Sequence, residues 1–130
     1  MKTLKSFPLS CLTCVAIWIL SLAPIGELPV TEAVQLSDKW AHFIMYGGFA
    51  LTLWAEFMRR GDIRSWRSAA THIAWTLVLP VAMGGVLELL QAYATTYRSG
   101  EWLDMLANSL GAVMGNAVGA AALFVVKARR

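Results

Sequence analysis

Polar and apolar residues follow one another in long blocks along this chain, without the two-residue alternation of a half-buried strand. Four apolar runs, about Pro8 to Ala23, Trp40 to Met58, Ala69 to Gln91 and Leu103 to Val126, are separated by short polar segments. Crossing about 30 Å of hydrocarbon takes roughly 17 to 25 helical residues; the last three runs meet that length comfortably and the first lies near its lower limit. A transmembrane barrel needs many short alternating segments rather than a few long apolar ones. The pattern therefore predicts an all-α, integral membrane four-helix bundle, with residues 1–130 forming a single domain.

Composition agrees with that class. Hydrophobic residues make up 58% of the chain and charged residues 15%, against about 45 to 50% and about 25% in soluble domains. Lys2 and Lys5 ahead of an apolar stretch also fit a secretory signal peptide, but Pro24 directly after Ser21-Leu22-Ala23 disfavours cleavage, so the first run is expected to stay as an anchor. The net charge of +3 comes from short clusters between the runs. It reads as a topology signal, and no nucleic-acid partner is expected. The clusters are Lys2 and Lys5; Arg59, Arg60, Arg64 and Arg67; and Lys127, Arg129 and Arg130. The positive-inside rule puts all three in the cytoplasm, which makes the topology N-in/C-in. Lys39 and Arg98 remain for the two outward loops, beside Glu27, Glu32, Asp38 and Glu101.

This register brings polar residues of different spans to one depth, at the outer face. Asp38, His42 and Tyr46 recur every four residues and share a helical stripe, as do Asp104 and Asn108, while Glu88 and Gln91 lie three apart. Ionisable groups at a hydrocarbon span usually face the interior and find partners. Glu88, near a helix C-terminus where the macrodipole disfavours a carboxylate, needs a proton or a cation. Lys39, Arg98 and a protonated His42 are the candidates, and Arg98 is expected to pair with Glu88 or Asp104. The candidate binding residues are Asp38, Lys39, His42, Tyr46, Glu88, Gln91, Arg98, Asp104 and Asn108. Simpler roles stand beside this one. Ser37, Asp38, Ser99 and Glu101 sit where helix caps belong, and Asp104 and Asn108 could serve only as interhelical hydrogen bonds.

Other features read as packing. Gly111, Gly115 and Gly119 form two overlapping small-xxx-small motifs, suited to internal helix contact or to self-association as a homo-oligomer. Pro80, with Gly84 and Gly85 a turn later, is expected to bend the third span. Glu56 and His72 are expected at the cytoplasmic interface, and Trp40, Trp66 and Trp102 in aromatic belts. Cys11 and Cys14 lack a second pair or a nearby His, and a His with several carboxylates is a loose metal match, so neither a metal nor another cofactor is expected.

Three segments, DKWAHFIMY at Asp38 to Tyr46, GGVLELLQ at Gly84 to Gln91 and RSGEWLDMLANSLGAVMG at Arg98 to Gly115, resemble the VanZ-like family. The family pattern is D-K-x-x-H with a following Tyr, then E-x-x-Q, then an Arg shortly before D-x-x-x-N and a Gly-x-x-x-Gly, and each element is present in order. The resemblance implies a multi-pass protein of the bacterial cytoplasmic (inner) membrane, related to a founder associated with low-level teicoplanin resistance. The function expected is a non-enzymatic envelope protein whose outward pocket binds a lipid headgroup or lipid-linked cell-wall precursor, with Lys39 and Arg98 as charged contacts. The alternative is a membrane-embedded enzyme acting on lipid-linked substrates at the outer leaflet, with His42 or Glu88 as general acid or base and Asp104 orienting the histidine. Whether the chain is an enzyme stays open at this point.

Overall fold

The computed structural model describes residues 5–23, 32–63, 65–96 and 101–129. These contain four helices and no strand: α1 (Pro8–Leu22), α2 (Glu32–Arg60), α3 (Trp66–Ala94) and α4 (Trp102–Ala128). Local signals set several of their ends. Pro8 opens α1, where its missing N–H costs nothing. Ser65 caps α3 by accepting from the Ser68 backbone N–H at 3.2 Å, while the Ser68 hydroxyl accepts in return from the Ser65 N–H at 3.1 Å. Gly61, at φ +69, ends α2. Its N–H donates to the Met58 carbonyl and that of Asp62 to the Phe57 carbonyl, the paired bonds of a Schellman motif, which needs a left-handed residue where a Cβ is penalised.

The predicted runs fall inside these helices, with one sizeable difference. Helix α2 begins at Glu32, two turns before Trp40. Backbone hydrogen bonding does not require apolar side chains, so hydropathy marks where the apolar stretch starts rather than where the helix does. Ser37 and Asp38 consequently lie within α2 and do not cap it. Two stretches, Arg67–Ala94 and Trp102–Ala128, are long and apolar enough to cross a membrane. Helix α1, with 15 residues, extends only about 22 Å, and α2 carries charges near both its ends.

Contacts along the helices fix an up-down order. Lys39 meets Asp104, His42 meets Asn108 and Trp54 meets Asn116, so α2 and α4 run parallel. Ser10 meets Glu56 and Gln91 meets Ser21, which sets α1 antiparallel to α2 and parallel to α3. The tightest contact is α2 against α4. A Cβ built on Gly111, Gly115 or Gly119 would collide with the Phe43 carbonyl, the Gly47 carbonyl or the Trp54 ring respectively. The glycine stripe is thus taken up by α2 of the same chain.

The interior holds Ile17, Tyr46, Phe49, Leu53 and Leu87, with a second cluster of Trp54, Ile63, Ala69 and Leu123. Polar side chains are buried with them. Asn116 Oδ1 accepts from Trp54 Nε1 at 2.9 Å and from the Thr76 hydroxyl, joining three helices at one atom. Large apolar residues point the other way: Leu12, Ile19, Ile44, Trp75, Leu89 and Phe124 are all exposed.

Candidate functional site

At the end of the structure formed by the start of α2, the close of α3 and the start of α4, polar side chains gather. Two D-x-x-x pairs lie side by side: Asp38 and His42 on α2, Asp104 and Asn108 on α4. The four-residue spacing puts each pair on one helix face. The parallel, glycine-mediated packing of α2 on α4 then brings the two faces together.

His42 is only 3% exposed. Its Nδ1 lies 2.8 Å from Asn108 Oδ1; an amide oxygen only accepts, so Nδ1 carries the proton and donates. Nε2 faces Asp104 Oδ2 at 3.8 Å and Asp38 Oδ2 at 3.9 Å. The orienting partner of the imidazole is therefore Asn108. Asp104, expected in that role, stands at the opposite nitrogen. Tyr46, one turn further along α2, stacks its ring on His42 with centroids 6.3 Å apart. Its hydroxyl and Asn108 Nδ2 are buried with no hydrogen-bond partner among the described residues.

Lys39 Nζ donates to Asp104 Oδ1 at 2.8 Å and to Glu101 Oε2 at 3.0 Å. The hydrogen bond to Asp104, with that to Glu101, holds the ammonium above its usual pKa range despite partial desolvation. Lys39 is thus held by two carboxylates, one on α4 and one immediately before it. Glu88 Oε2 accepts from the Glu101 backbone N–H at 3.0 Å, fastening the end of α3 to the first turn of α4. Trp40 and Trp102 are exposed at this same end.

Of the candidates, Asp38, Lys39, His42, Tyr46, Glu88, Asp104 and Asn108 come together here. Gln91 does not join them: its Nε2 donates to the Ser21 carbonyl at 2.8 Å and ties α3 to α1. Arg98 and its expected pairing with Glu88 or Asp104 lie outside the described residues. The chain matches no family model, and comparisons with curated proteins and with solved structures likewise give no match. The VanZ-like resemblance accordingly rests on the motif residues themselves.

Sequence reasoning gave Glu101 only a capping role. It is the first residue before α4 but makes no side-chain cap bond; the signal for its partnership was a lone lysine across the same end. Glu56, expected at an interface, is 2% exposed. Its carboxylate accepts from the Leu9 N–H at 2.7 Å, the Ser10 N–H at 3.1 Å and the Ser10 hydroxyl, so it caps α1 from another helix. An acid two residues before the end of an apolar run was the visible clue. At that opposite end an apolar cavity of about 690 Å³ lies between α1, α2 and α3, lined by residues such as Phe7, Cys14, Phe57 and Trp75.

Proposed function

We propose that this chain is a VanZ-like multi-pass protein of the bacterial cytoplasmic membrane. In this reading it is a four-span, N-in/C-in helical bundle whose outward polar end binds the headgroup of a lipid or a lipid-linked cell-wall precursor. The observation that carries this reading is the gathering of His42, Asp104 and Asn108, all buried, with Lys39 and Glu101 at one end of the helices. Burying such groups is costly unless they are partnered, and here two helices supply the partners. The surroundings support a lipid location. Large apolar side chains are exposed along all four helices while Glu56, Thr76, Gln91 and Asn116 are buried, the reverse of a water-soluble surface. Exposed Trp40 and Trp102 fit the headgroup level.

Occupying a cell-wall precursor would alter access of a glycopeptide such as teicoplanin, and susceptibility is the expected cellular readout. The enzymatic alternative draws on one feature, the fixed orientation of His42 by Asn108, which would aim Nε2 at a substrate proton.

The test is mass spectrometry of lipids that co-purify with wild type and with Asp104→Asn, together with lipid profiles and teicoplanin susceptibility of the expressing cells. One lipid class enriched on wild type and lost at least tenfold from the variant is the expected result. No enriched class and unchanged susceptibility would overturn the binding reading. A lipid chemically altered only in wild-type cells would replace it with the enzymatic one.

A further inference from the structure

The two nitrogens of His42 are treated very differently. Nδ1 is fixed by Asn108 at 2.8 Å, so in the neutral ring the lone pair is on Nε2. That lone pair is buried and points between two carboxylates, whose nearest oxygens stand at 3.8 Å and 3.9 Å. A cation at Nε2 suits that grouping: a proton there would place the imidazolium in ion-pair range of both carboxylates, and a metal ion would use the same three groups as ligands. Bonds of about 2.0 to 2.2 Å to nitrogen and oxygen set neighbouring donors about 3.0 to 3.6 Å apart. The donor atoms of Asp38, His42 and Asp104 all lie within 4.8 Å of one another. We propose that Asp38, His42 and Asp104 form a site for one divalent transition-metal ion, of the Mn²⁺ or Zn²⁺ kind, that joins α2 to α4.

The surroundings have the form such a site requires. Metal-bound histidines donate their other N–H to an oxygen that fixes ring and tautomer, and Asn108 Oδ1 does so here. Lys39 occupies Oδ1 of Asp104, which orients the carboxylate and leaves Oδ2 toward His42. Asp38 is half-buried one turn before His42, and a change of rotamer would carry its oxygen toward Nε2 and Asp104. One imidazole and two carboxylates form a mixed N/O set that suits Mn²⁺ or Zn²⁺ better than the all-oxygen sites of Ca²⁺ and Mg²⁺. Three protein ligands also leave coordination positions open, as in catalytic rather than structural metal sites.

The site stands on donor geometry alone and does not depend on the headgroup reading; the experiment therefore uses the metal by itself. Tag-free full-length chain in detergent is stripped with chelator and titrated with Mn²⁺, followed by electron paramagnetic resonance with detection of ¹⁴N and ³¹P couplings. The expected result is one Mn²⁺ per chain with a ¹⁴N coupling, competed by Zn²⁺. His42→Gln loses the ¹⁴N coupling. Asp38→Asn, at the least buried ligand, weakens binding at least tenfold in a chain that still unfolds cooperatively in detergent. Absence of saturable binding would overturn the site. So would Mn²⁺ carrying ³¹P but no ¹⁴N coupling, which reports ions on lipid phosphate, or an Asp38→Asn affinity equal to wild type.

Discussion

Glu56 shows how much one side chain can hold. A buried carboxylate is costly in an apolar interior, yet this one receives two backbone N–H groups and a hydroxyl from the first turn of α1. Those N–H groups have no partner within their own helix, and the positive end of the helix dipole favours an anion beside them. Glu56→Gln substitutes an N–H₂ group for one accepting oxygen and turns donor against donor. It should destabilise the protein by about 1 to 3 kcal/mol, read as a lower midpoint of thermal unfolding in detergent, with α1 becoming more accessible to protease. A midpoint equal to wild type would show that the cap contributes nothing. The same residue-scale logic separates Gln91 from the polar end. Its position in the E-x-x-Q pattern is visible in the sequence, but its partner, the Ser21 carbonyl, belongs to a helix whose placement no local spacing gives.

At the scale of elements, the pairing of α2 with α4 governs the site. Gly111, Gly115 and Gly119 bring the α4 backbone against the Phe43 and Gly47 carbonyls and the Trp54 ring, and only at that separation do His42 and Asn108 come within 2.8 Å. A Cβ at position 111 would meet main chain, which cannot turn aside as a flexible side chain can. Gly111→Ala should therefore cost about 1 to 3 kcal/mol as overpacking and separate the helices at the polar end. The paired readouts are the melting temperature and the ¹⁵N chemical shift of His42 Nδ1, both moved together. A shift in neither would mean that α2 and α4 do not pack through this stripe. The small-xxx-small spacing announced a close helix contact, whereas the choice of α2 as partner required the three-dimensional arrangement.

At the scale of the whole molecule, the proposed topology makes a separate prediction. A phosphatase that is active only outside the cytoplasm should be inactive when fused after Arg130 and active when inserted between Thr96 and Glu101. The opposite pattern would invert the topology and move the polar end to the cytoplasmic face. The order of apolar and basic blocks dictated four helical segments and a common level for Asp38, His42, Glu88, Asp104 and Asn108, because helical rise and the four-residue repeat are local properties of a chain. Which atoms touch was decided only by tertiary structure. Lys39 turned to Asp104 and Glu101, Asn108 rather than Asp104 took Nδ1 of His42, and Glu56 capped a helix 46 residues away in the chain. Each of these contacts depends on the separation and rotation of two helices, set by glycine packing and buried volume across the whole interior, to which a single helical stripe carries no information.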